Sequence, residues 1–243
     1  MNKTDASMIT TKSLCCFIIA MVSTSFSHSE EITISTFKQN TAQIEVSASV
    51  MSEVYQRLGY DMKLAFYPGK RSIVEANKGT VDGELIRIEA TSQLLTNLIR
   101  IPTPVDSLKV MAITRTGDAE ITGMKELVGK KIGVLRGIEL TDNIVQNLLH
   151  QTVDSIESLF KILLGGRVDV ILFPDLDAEE YIQLNGLGDK IVINPTPMLE
   201  VFLYHFINKS KPTLIKDMSE LLAKLKETGE LDLITRKAEQ SRR

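Results

Sequence analysis

Basic residues in the first third of the chain have the types and spacing needed to bind an anion. Arg87 ends a short apolar run, and its guanidinium offers a planar pair of donors that matches a carboxylate or a phosphate. Lys70 and Arg71 follow a Pro-Gly turn, where the amino end of a helix favours negative charge. The alternatives are an ion pair of Arg87 with Glu89 and plain solvation of Lys70 and Arg71. We expect Arg87 and Arg71 to contact a ligand.

A strand, a helix and a second strand must position these residues. The pattern predicts strands over residues 61–67 and 81–86 and a helix over residues 70–78, because Pro68-Gly69 and Gly79 interrupt the chain at the two boundaries. Connections this short make a right-handed unit with parallel strands. Ligands of such sheets bind beyond the carboxyl ends of the strands, so we expect Tyr67 and Arg87 at one ligand-facing edge.

A first strand over residues 31–37 alternates apolar and polar side chains and ends at Phe37. Its carboxyl end reaches the same edge as Arg87. Phe37 and Tyr67 are therefore candidates for the wall of a ligand site, although an aromatic residue at a strand end is as often part of the core.

Composition limits the classes of partner. The 243 residues are 43% hydrophobic and carry a net charge of -3, which argues against nucleic acid as the main partner. The chain has no tryptophan, so an aromatic platform for bases or sugars is not expected. Its three histidines lack the spacing of metal ligands, and it has none of the common nucleotide or hydrolase motifs. We expect no cofactor, no metal and no catalysis.

Residues 1–27 have the pattern of a cleaved signal peptide. Lys12 precedes an apolar stretch over residues 13–26, and small residues stand at the expected cleavage site. Translation can begin at Met1 or at Met8, and an uncleaved anchor is the alternative. Both cysteines, Cys15 and Cys16, lie in this segment, so the exported chain would have no thiol chemistry. We therefore predict a periplasmic protein.

The rest of the chain alternates strands and helices in two cycles separated by Pro102-Thr103-Pro104, which predicts an α/β protein of two lobes. The further predicted strands cover residues 98–101, 108–114, 131–135, 168–173, 191–194 and 201–207. The further predicted helices cover residues 41–58, 140–149, 154–164, 177–184, 213–228 and 230–238.

Four motifs give the chain a resemblance to a known family. They are GTVDG at residues 79–83, LVGKKIGV followed by Arg136-Gly137, GRVD at residues 166–169, and LKETGEL near the end. In this order and spacing they resemble the family 3 solute-binding proteins of bacterial transport systems, over essentially all of residues 30–240.

This resemblance implies a type II periplasmic binding fold, with lobe 1 over residues 28–107, lobe 2 over residues 108–209, and residues 210–243 returning to lobe 1 as helices. It implies hinge segments near residues 105–110 and 208–212. It further implies a monomer that binds a small solute between the lobes and delivers it to a permease or a receptor.

The resemblance also implies site residues in lobe 2. Gly137 and Ile138 match a position where the family offers backbone donors, and Glu139 follows them. Asp175 lies near the place where the family pairs an aspartate with a ligand ammonium. Glu139 and Asp175 could equally be ordinary acidic residues at helix starts.

In lobe 1 residues 88–93 lack the family's carboxylate-binding arginine, which Arg87 could replace.

Three functions fit these observations. The first is a receptor that captures a small carboxylate-bearing solute, similar to an amino acid, for an ABC-type transporter. The second is an exported enzyme on the same scaffold, similar to the dehydratases related to this family, with Glu139 or Asp175 as its general acid. The third is a sensory or accessory protein whose closed form binds a receptor domain.

Overall fold

The computed structural model describes residues 29–37 and 41–242. The predicted signal peptide, with Cys15 and Cys16, lies outside these residues. The described chain forms a mixed α/β structure around one curled sheet. The strands are β1 Glu30–Phe37, β2 Tyr60–Tyr67, β3 Gly83–Ile88, β4 Leu98–Arg100, β5 Asp106–Arg115, β6 Ile132–Leu135, β7 His150–Val153, β8 Val170–Pro174 and β9 Ile191–Asn208. The helices are α1 Ala42–Arg57, α2 Gly69–Lys78, α3 Glu139–Val145, α4 Ile156–Leu164, α5 Asp175–Leu184, α6 Pro212–Glu227 and α7 Glu230–Ser241.

Two long antiparallel strands, β5 and β9, join the two halves of the sheet. The strand order is β2-β1-β3-β9-β5-β8-β6-β7, and β4 lies beside β9. We call β1 to β4 with α1, α2, α6 and α7 the first lobe, and β6 to β8 with α3, α4 and α5 the second lobe. Because β5 and β9 run through both lobes, they are the two-strand hinge that the fold class requires.

Each lobe has its own core. In the first lobe, α1, α6 and α7 cover one face of the sheet and bury residues such as Ile34, Val50 and Leu222. The side chains on the other face pack around Ala76 of α2 and Phe206 of β9. The second lobe is built in the same way, with separate apolar clusters around Phe160 and Val134. Two sheet halves with helices on both faces are the layered arrangement that two α/β cycles predict.

The carboxyl ends of the strands converge on one stretch of the hinge. The last residue of β3, Ile88, and the first residue of β5, Asp106, both pair with Leu203 of β9. β8 approaches from the opposite side, and its last residue, Pro174, pairs with Val110 of β5. We call Asp106 to Val110, with the strand ends that reach them, the junction. β1 and β2 run parallel to β3, and β6 runs parallel to β8, so their carboxyl ends face the junction too.

Three sequence predictions need correction. A helix over residues 140–149 was expected, but α3 ends at Val145, and the unpredicted strand β7 follows it. Two strands were expected over residues 191–194 and 201–207, but β9 is continuous through Pro195 and Pro197. Residues 208–212 were expected in the hinge, whereas the part of β9 that pairs with Asp106 to Val110 is Leu199 to Leu203. The lobe boundaries stay a prediction, since β9 contributes to both lobes.

Within residues 29–37 and 41–242, no helix is both long enough and apolar enough to cross a bilayer.

Candidate functional site

A buried ion pair holds Arg87 in place at the end of β3. Arg87 Nε donates to Glu84 Oε1 at 2.7 Å, and Nη2 lies 2.5 Å from the same oxygen. The side chain of Glu84 is fully buried and that of Arg87 is 15% exposed. The second carboxylate oxygen accepts hydrogen bonds from Ser72 Oγ, at 2.5 Å, and from Ser35 Oγ. We call these four residues the Glu84 network, in which both oxygens of a buried carboxylate are satisfied.

A β-bulge brings Glu84 and Arg87 to the same face of the sheet. In a regular strand, residues three apart point to opposite faces. In β3 the pairing shifts, so that Glu84 lies opposite Phe206 while Arg87 lies opposite Tyr204. The extra residue in β3 re-aims Arg87, as bulges commonly do near binding sites. The adjacent position 83 requires glycine, because a Cβ there would lie 2.3 Å from the carbonyl oxygen of Phe206.

Two residues that the sequence did not single out, Tyr204 and Arg100, lie beside Arg87 of the Glu84 network. Tyr204 lies directly opposite Arg87 in the β3–β9 ladder. The guanidinium carbon of Arg100 lies 4.2 Å from the centre of the Tyr204 ring, a cation–π distance. Arg100 Nη2 also lies 3.1 Å from a carboxylate oxygen of Glu89. Two arginines therefore flank one tyrosine. The alternative for Arg87 was an ion pair with Glu89. Arg87 does form an ion pair, but with Glu84, and Glu89 pairs with Arg100.

The other lobe 1 candidates differ in how firmly they are held. Tyr67 is half-buried and packs against the cluster around Ala76, and its backbone pairs with that of Phe37. Arg71 is 66% exposed and lies 3.4 Å from Glu75, one helical turn away. Lys70 is exposed. The contacts of Arg71 match those of a solvated helix residue.

The second-lobe candidates Gly137, Ile138 and Glu139 form the turn from β6 into α3. Gly137 has a φ of 88°, which a residue with a side chain rarely adopts. Ile138 packs partly against the apolar cluster around Phe160, and Glu139 is the exposed first residue of α3. The turn offers one anchored side chain and one charged side chain that faces solvent.

Asp175 begins α5 and belongs to a group of acidic residues at the junction. Its Oδ1 is buried and has no hydrogen-bond partner among the described residues. Burial raises the pKa of Asp175 above its usual range. Burial likewise raises the pKa of Asp106 and of Asp177 to about 6, and the charge of Asp175 adds to both shifts. We call Asp106, Asp175 and Asp177 the acid cluster.

Side chains of α1 complete the surroundings of the acid cluster. Gln43 Nε2 donates to Asp106 Oδ2 at 2.6 Å, and Ser47 Oγ lies 3.4 Å from the same oxygen. Gln43 is 4% exposed, and its Oε1 has no hydrogen-bond partner within the described part of the chain. Lys109 is near enough to oppose the pKa shift of Asp175. On this side of the junction, the buried Gln43 Oε1 and Asp175 Oδ1 therefore both lack a hydrogen-bond donor among the described residues.

Among the described residues, no group of three or more His, Cys, Asp or Glu side chains could hold a metal ion. A protonated amine and water are among the donors that the buried oxygens of Gln43 and Asp175 can accept.

No family model matches the chain. An uncharacterized protein of Shewanella oneidensis is 26% identical over 189 residues, which cover 74% of this chain and 70% of that protein. A candidate sensor protein of Shewanella frigidimarina is 28% identical over 139 residues, which cover 55% of this chain but only 20% of that protein. The chain thus matches about a fifth of the length of this second relative.

Solved structures match nearly the whole described chain. The second substrate-binding domain of Lactococcus lactis GlnP aligns with a TM-score of 0.65 at 18% identity, covering 87% of this chain and 96% of that domain. AbpA of Streptococcus pneumoniae, an amino acid ABC transporter substrate-binding protein bound to L-arginine, aligns at 0.62 and 17% identity, covering 86% and 94%. The chain has the type II periplasmic binding-protein fold. This fold also includes the periplasmic VFT2 domain of Bordetella pertussis BvgS, which aligns at 0.61 and 15% identity, covering 85% and 92%.

Within this periplasmic binding-protein fold, the predicted residues gather at the strand ends that face the junction. Phe37, Tyr67 and Arg87 lie at the ends of β1, β2 and β3. Gly137, Ile138 and Glu139 follow β6, and Asp175 follows β8. Arg71, in the first turn of α2, follows β2. The topology therefore brings the candidates to strand ends that face the junction, and their roles as ligand contacts stay predictions.

Proposed function

We propose that this chain is an exported receptor that binds a small zwitterionic solute between its lobes and presents it to a membrane transporter. The observation that carries this proposal is the convergence of Arg87 and Asp175 on the junction, from opposite lobes, at the ends of β3 and β8. A carboxylate on one side of a solute and an ammonium on the other would match these two groups.

The Glu84 network favours a zwitterion over a simple anion. Glu84 already balances the charge of Arg87, so the arginine adds little net attraction for an uncompensated negative charge. What it retains is directional hydrogen bonding from a guanidinium held at a fixed position. A fixed donor group loses little conformational entropy when a ligand binds, which favours affinity.

The acid cluster supplies the complementary side. Asp175 and Gln43 each carry a buried oxygen that lacks a donor in the described structure, and leaving such an acceptor unpaired costs about 1–3 kcal/mol. A ligand ammonium would satisfy these oxygens. It would also lower the pKa of Asp175 towards its ordinary value, because a nearby positive charge stabilises the carboxylate. Closure of the lobes around such a ligand would therefore be favoured by contacts made only in the bound state.

The remaining candidates would shape the site. Phe37 and Tyr67 would form its wall in lobe 1, while Gly137, Ile138 and Glu139 would approach the solute from lobe 2. Arg71 would contribute at the rim.

A thermal-shift screen of the purified protein tests the proposal. Its panel compares zwitterionic amino acids with organic acids, polyamines, small peptides and sugars. A binder at 100 times its dissociation constant stabilises the folded protein by about 2.7 kcal/mol, which raises the melting temperature measurably. We expect amino acids to produce the largest shifts.

Arg87→Lys should reduce the amino acid shift, because lysine keeps the charge beside Glu84 but lacks the planar fork. Arg136→Lys is the matched control, since Arg136 pairs with Asp154 in an exposed position of the second lobe. A panel in which no solute raises the melting temperature, or an Arg87→Lys variant that responds like Arg136→Lys, would contradict the proposal.

Sensing is the second candidate role, and specific similarities favour it. One relative is named as a candidate sensor, and the matching structures include a histidine kinase sensor domain and the BvgS VFT2 domain. Uptake of the radiolabelled solute identified by the screen distinguishes the roles. A transport receptor predicts loss of uptake when the gene is deleted, whereas a sensor predicts normal uptake and a lost transcriptional response. Chemical conversion of the solute by the purified protein would instead favour the enzyme alternative.

A further inference from the structure

Helix α5 of the second lobe contacts helix α1 of the first lobe directly beside the junction. Asp177 Oδ1 accepts a hydrogen bond from the backbone nitrogen of Ala42, the first residue of α1, at 2.8 Å. A carboxylate at this position is favoured by the helix dipole and satisfies a nitrogen that has no partner inside the helix. The adjacent Leu176 packs against the apolar core of the first lobe. The two lobes are therefore in contact outside the hinge strands.

One arginine at the end of α7 joins the same two helices. Arg242 Nε lies 2.8 Å from a carboxylate oxygen of Glu45 on α1, and its Nη2 lies 2.8 Å from Glu180 on α5. The Arg242 side chain is 16% exposed, while Glu45 and Glu180 are 41% and 42% exposed, so water screens these pairs only partly. A single guanidinium thus links a carboxylate of each lobe.

We propose that Asp177 with Ala42, and Arg242 with Glu45 and Glu180, form an interlobe latch that holds the lobes in the described orientation. A rotation about β5 and β9 that separates α1 from α5 would break these contacts. The latch therefore lowers the free energy of the described orientation relative to any orientation without it. A change of the latch shifts the populations of the lobe orientations, although the latch includes neither Arg87 nor Asp175 and shares only Asp177 with the acid cluster.

Arg57 provides a matched control within the same pair of first-lobe helices. Its guanidinium also binds two carboxylates, Glu53 at 2.7 Å and Glu230 at 2.8 Å. Glu53 lies on α1 and Glu230 on α7, so this bridge stays inside the first lobe. Arg57→Ala removes a comparable ion-pair bridge without touching the contact between lobes.

The distance between the lobes tests the latch without any ligand. Spin labels are placed at Lys78→Cys in the first lobe and Leu149→Cys in the second, two exposed positions, in the full chain with Cys15 and Cys16 replaced by serine. Pulsed dipolar spectroscopy then gives the distribution of distances between the labels. Arg242→Ala is expected to broaden this distribution and move its centre, while Arg57→Ala is expected to leave it as in the unmutated chain.

Glu180→Gln removes the second-lobe charge alone and serves as a second variant should Arg242→Ala fail to fold. It is expected to broaden the distribution in the same direction. A folded Arg242→Ala or Glu180→Gln protein with an unchanged distribution would overturn the latch. An equal change in Arg57→Ala would also overturn it, because the effect would not then depend on the interlobe contact. Since no solute takes part, these results are independent of the proposed ligand.

Discussion

The Glu84 network and the acid cluster are both polar regions next to the junction, but they differ in how their hydrogen bonds are completed. Glu84 is fully buried, and Arg87, Ser72 and Ser35 all donate to it. In the acid cluster, Asp175 keeps a buried oxygen without a donor in the described structure, and the neighbouring Gln43 keeps another. One region is complete before any ligand arrives, and the other is not.

This difference suggests a division of labour between the two regions. A complete network keeps its arginine in one position, which is the property that a recognition group needs. An incomplete cluster stores unfavourable free energy that a ligand donor can relieve. We expect mutations in the first region to act on stability, and mutations in the second to act on pH dependence and ligand response.

The largest expected effect follows from removing Arg87. Arg87→Ala leaves Glu84 as a buried charge without its cation, which typically costs about 3–5 kcal/mol of unfolding free energy. Urea unfolding measures this loss. The double variant Glu84→Gln with Arg87→Met removes both charges and should recover most of it. An Arg87→Ala variant within about 1 kcal/mol of the unmutated protein would contradict the burial of this ion pair.

A pH-dependent effect is expected from the acid cluster. The folded-state pKa of Asp106 is about 6, against 3.8 in the reference state. A carboxyl with a raised pKa contributes stability that is fully present below pH 3.8 and is lost as the pH rises through about 6. Asp106→Asn removes this titration, so the stability of the variant relative to the unmutated chain should rise by about 2–3 kcal/mol between pH 4 and pH 8.

Urea unfolding across this pH range measures the effect of Asp106→Asn. His205 acts in the opposite direction, because burial lowers its pKa to about 4, so its contribution is lost as the pH falls from 6.5 through 4. The variant retains His205 and Asp177, so their contributions cancel in the difference. Asp189→Asn, at an exposed position, is the control. A difference that stays constant with pH would contradict the burial of the cluster.

A smaller effect is expected from Ser72→Ala in the Glu84 network. The variant removes one hydroxyl donor from a buried carboxylate, which costs about 2 kcal/mol, since hydrogen bonds to charged groups contribute more than neutral ones. Ser219→Ala is the control, because Ser219 donates to an uncharged acceptor, the carbonyl of Ile215 within α6. Equal unfolding free energies for the two variants would show that the hydrogen bond from Ser72 to Glu84 contributes no more than an ordinary hydroxyl contact, which would contradict the account of the network.

The patterns of apolar and polar residues predicted most of the helices and strands. The errors in β9 and β7 are explained by two prolines inside β9 and by the short length of β7. Pro68-Gly69 and Gly79 interrupt the neighbouring strands and helix, and they located the ends of α2 to within one residue. Pro195 and Pro197 suggested a break between two strands, but register shifts between β5 and β9 accommodate prolines inside one long strand. β7 has only four residues, too few for an alternation to be recognised.

Arg87 could be singled out from the sequence, but its partner could not. Glu84 and Arg87 are three residues apart, which in a regular strand separates them onto opposite faces, and the sequence VDGELIR does not reveal the bulge that reunites them. The charged Glu84 inside a short apolar strand was the available signal. Gln43 and Asp106 are 63 positions apart, so only the folded chain shows that they meet.

The most direct test of the central claim is a coupling cycle between Arg87 and the carboxylate of the ligand. Calorimetric titration compares an amino acid found by the screen with its carboxamide, in the unmutated protein and in Arg87→Lys. If Arg87 binds the carboxylate, amidation should weaken binding much more in the unmutated protein than in the variant, with a coupling of roughly 0.5–3 kcal/mol. Additive effects of mutation and amidation would contradict the claim and would place the carboxylate elsewhere.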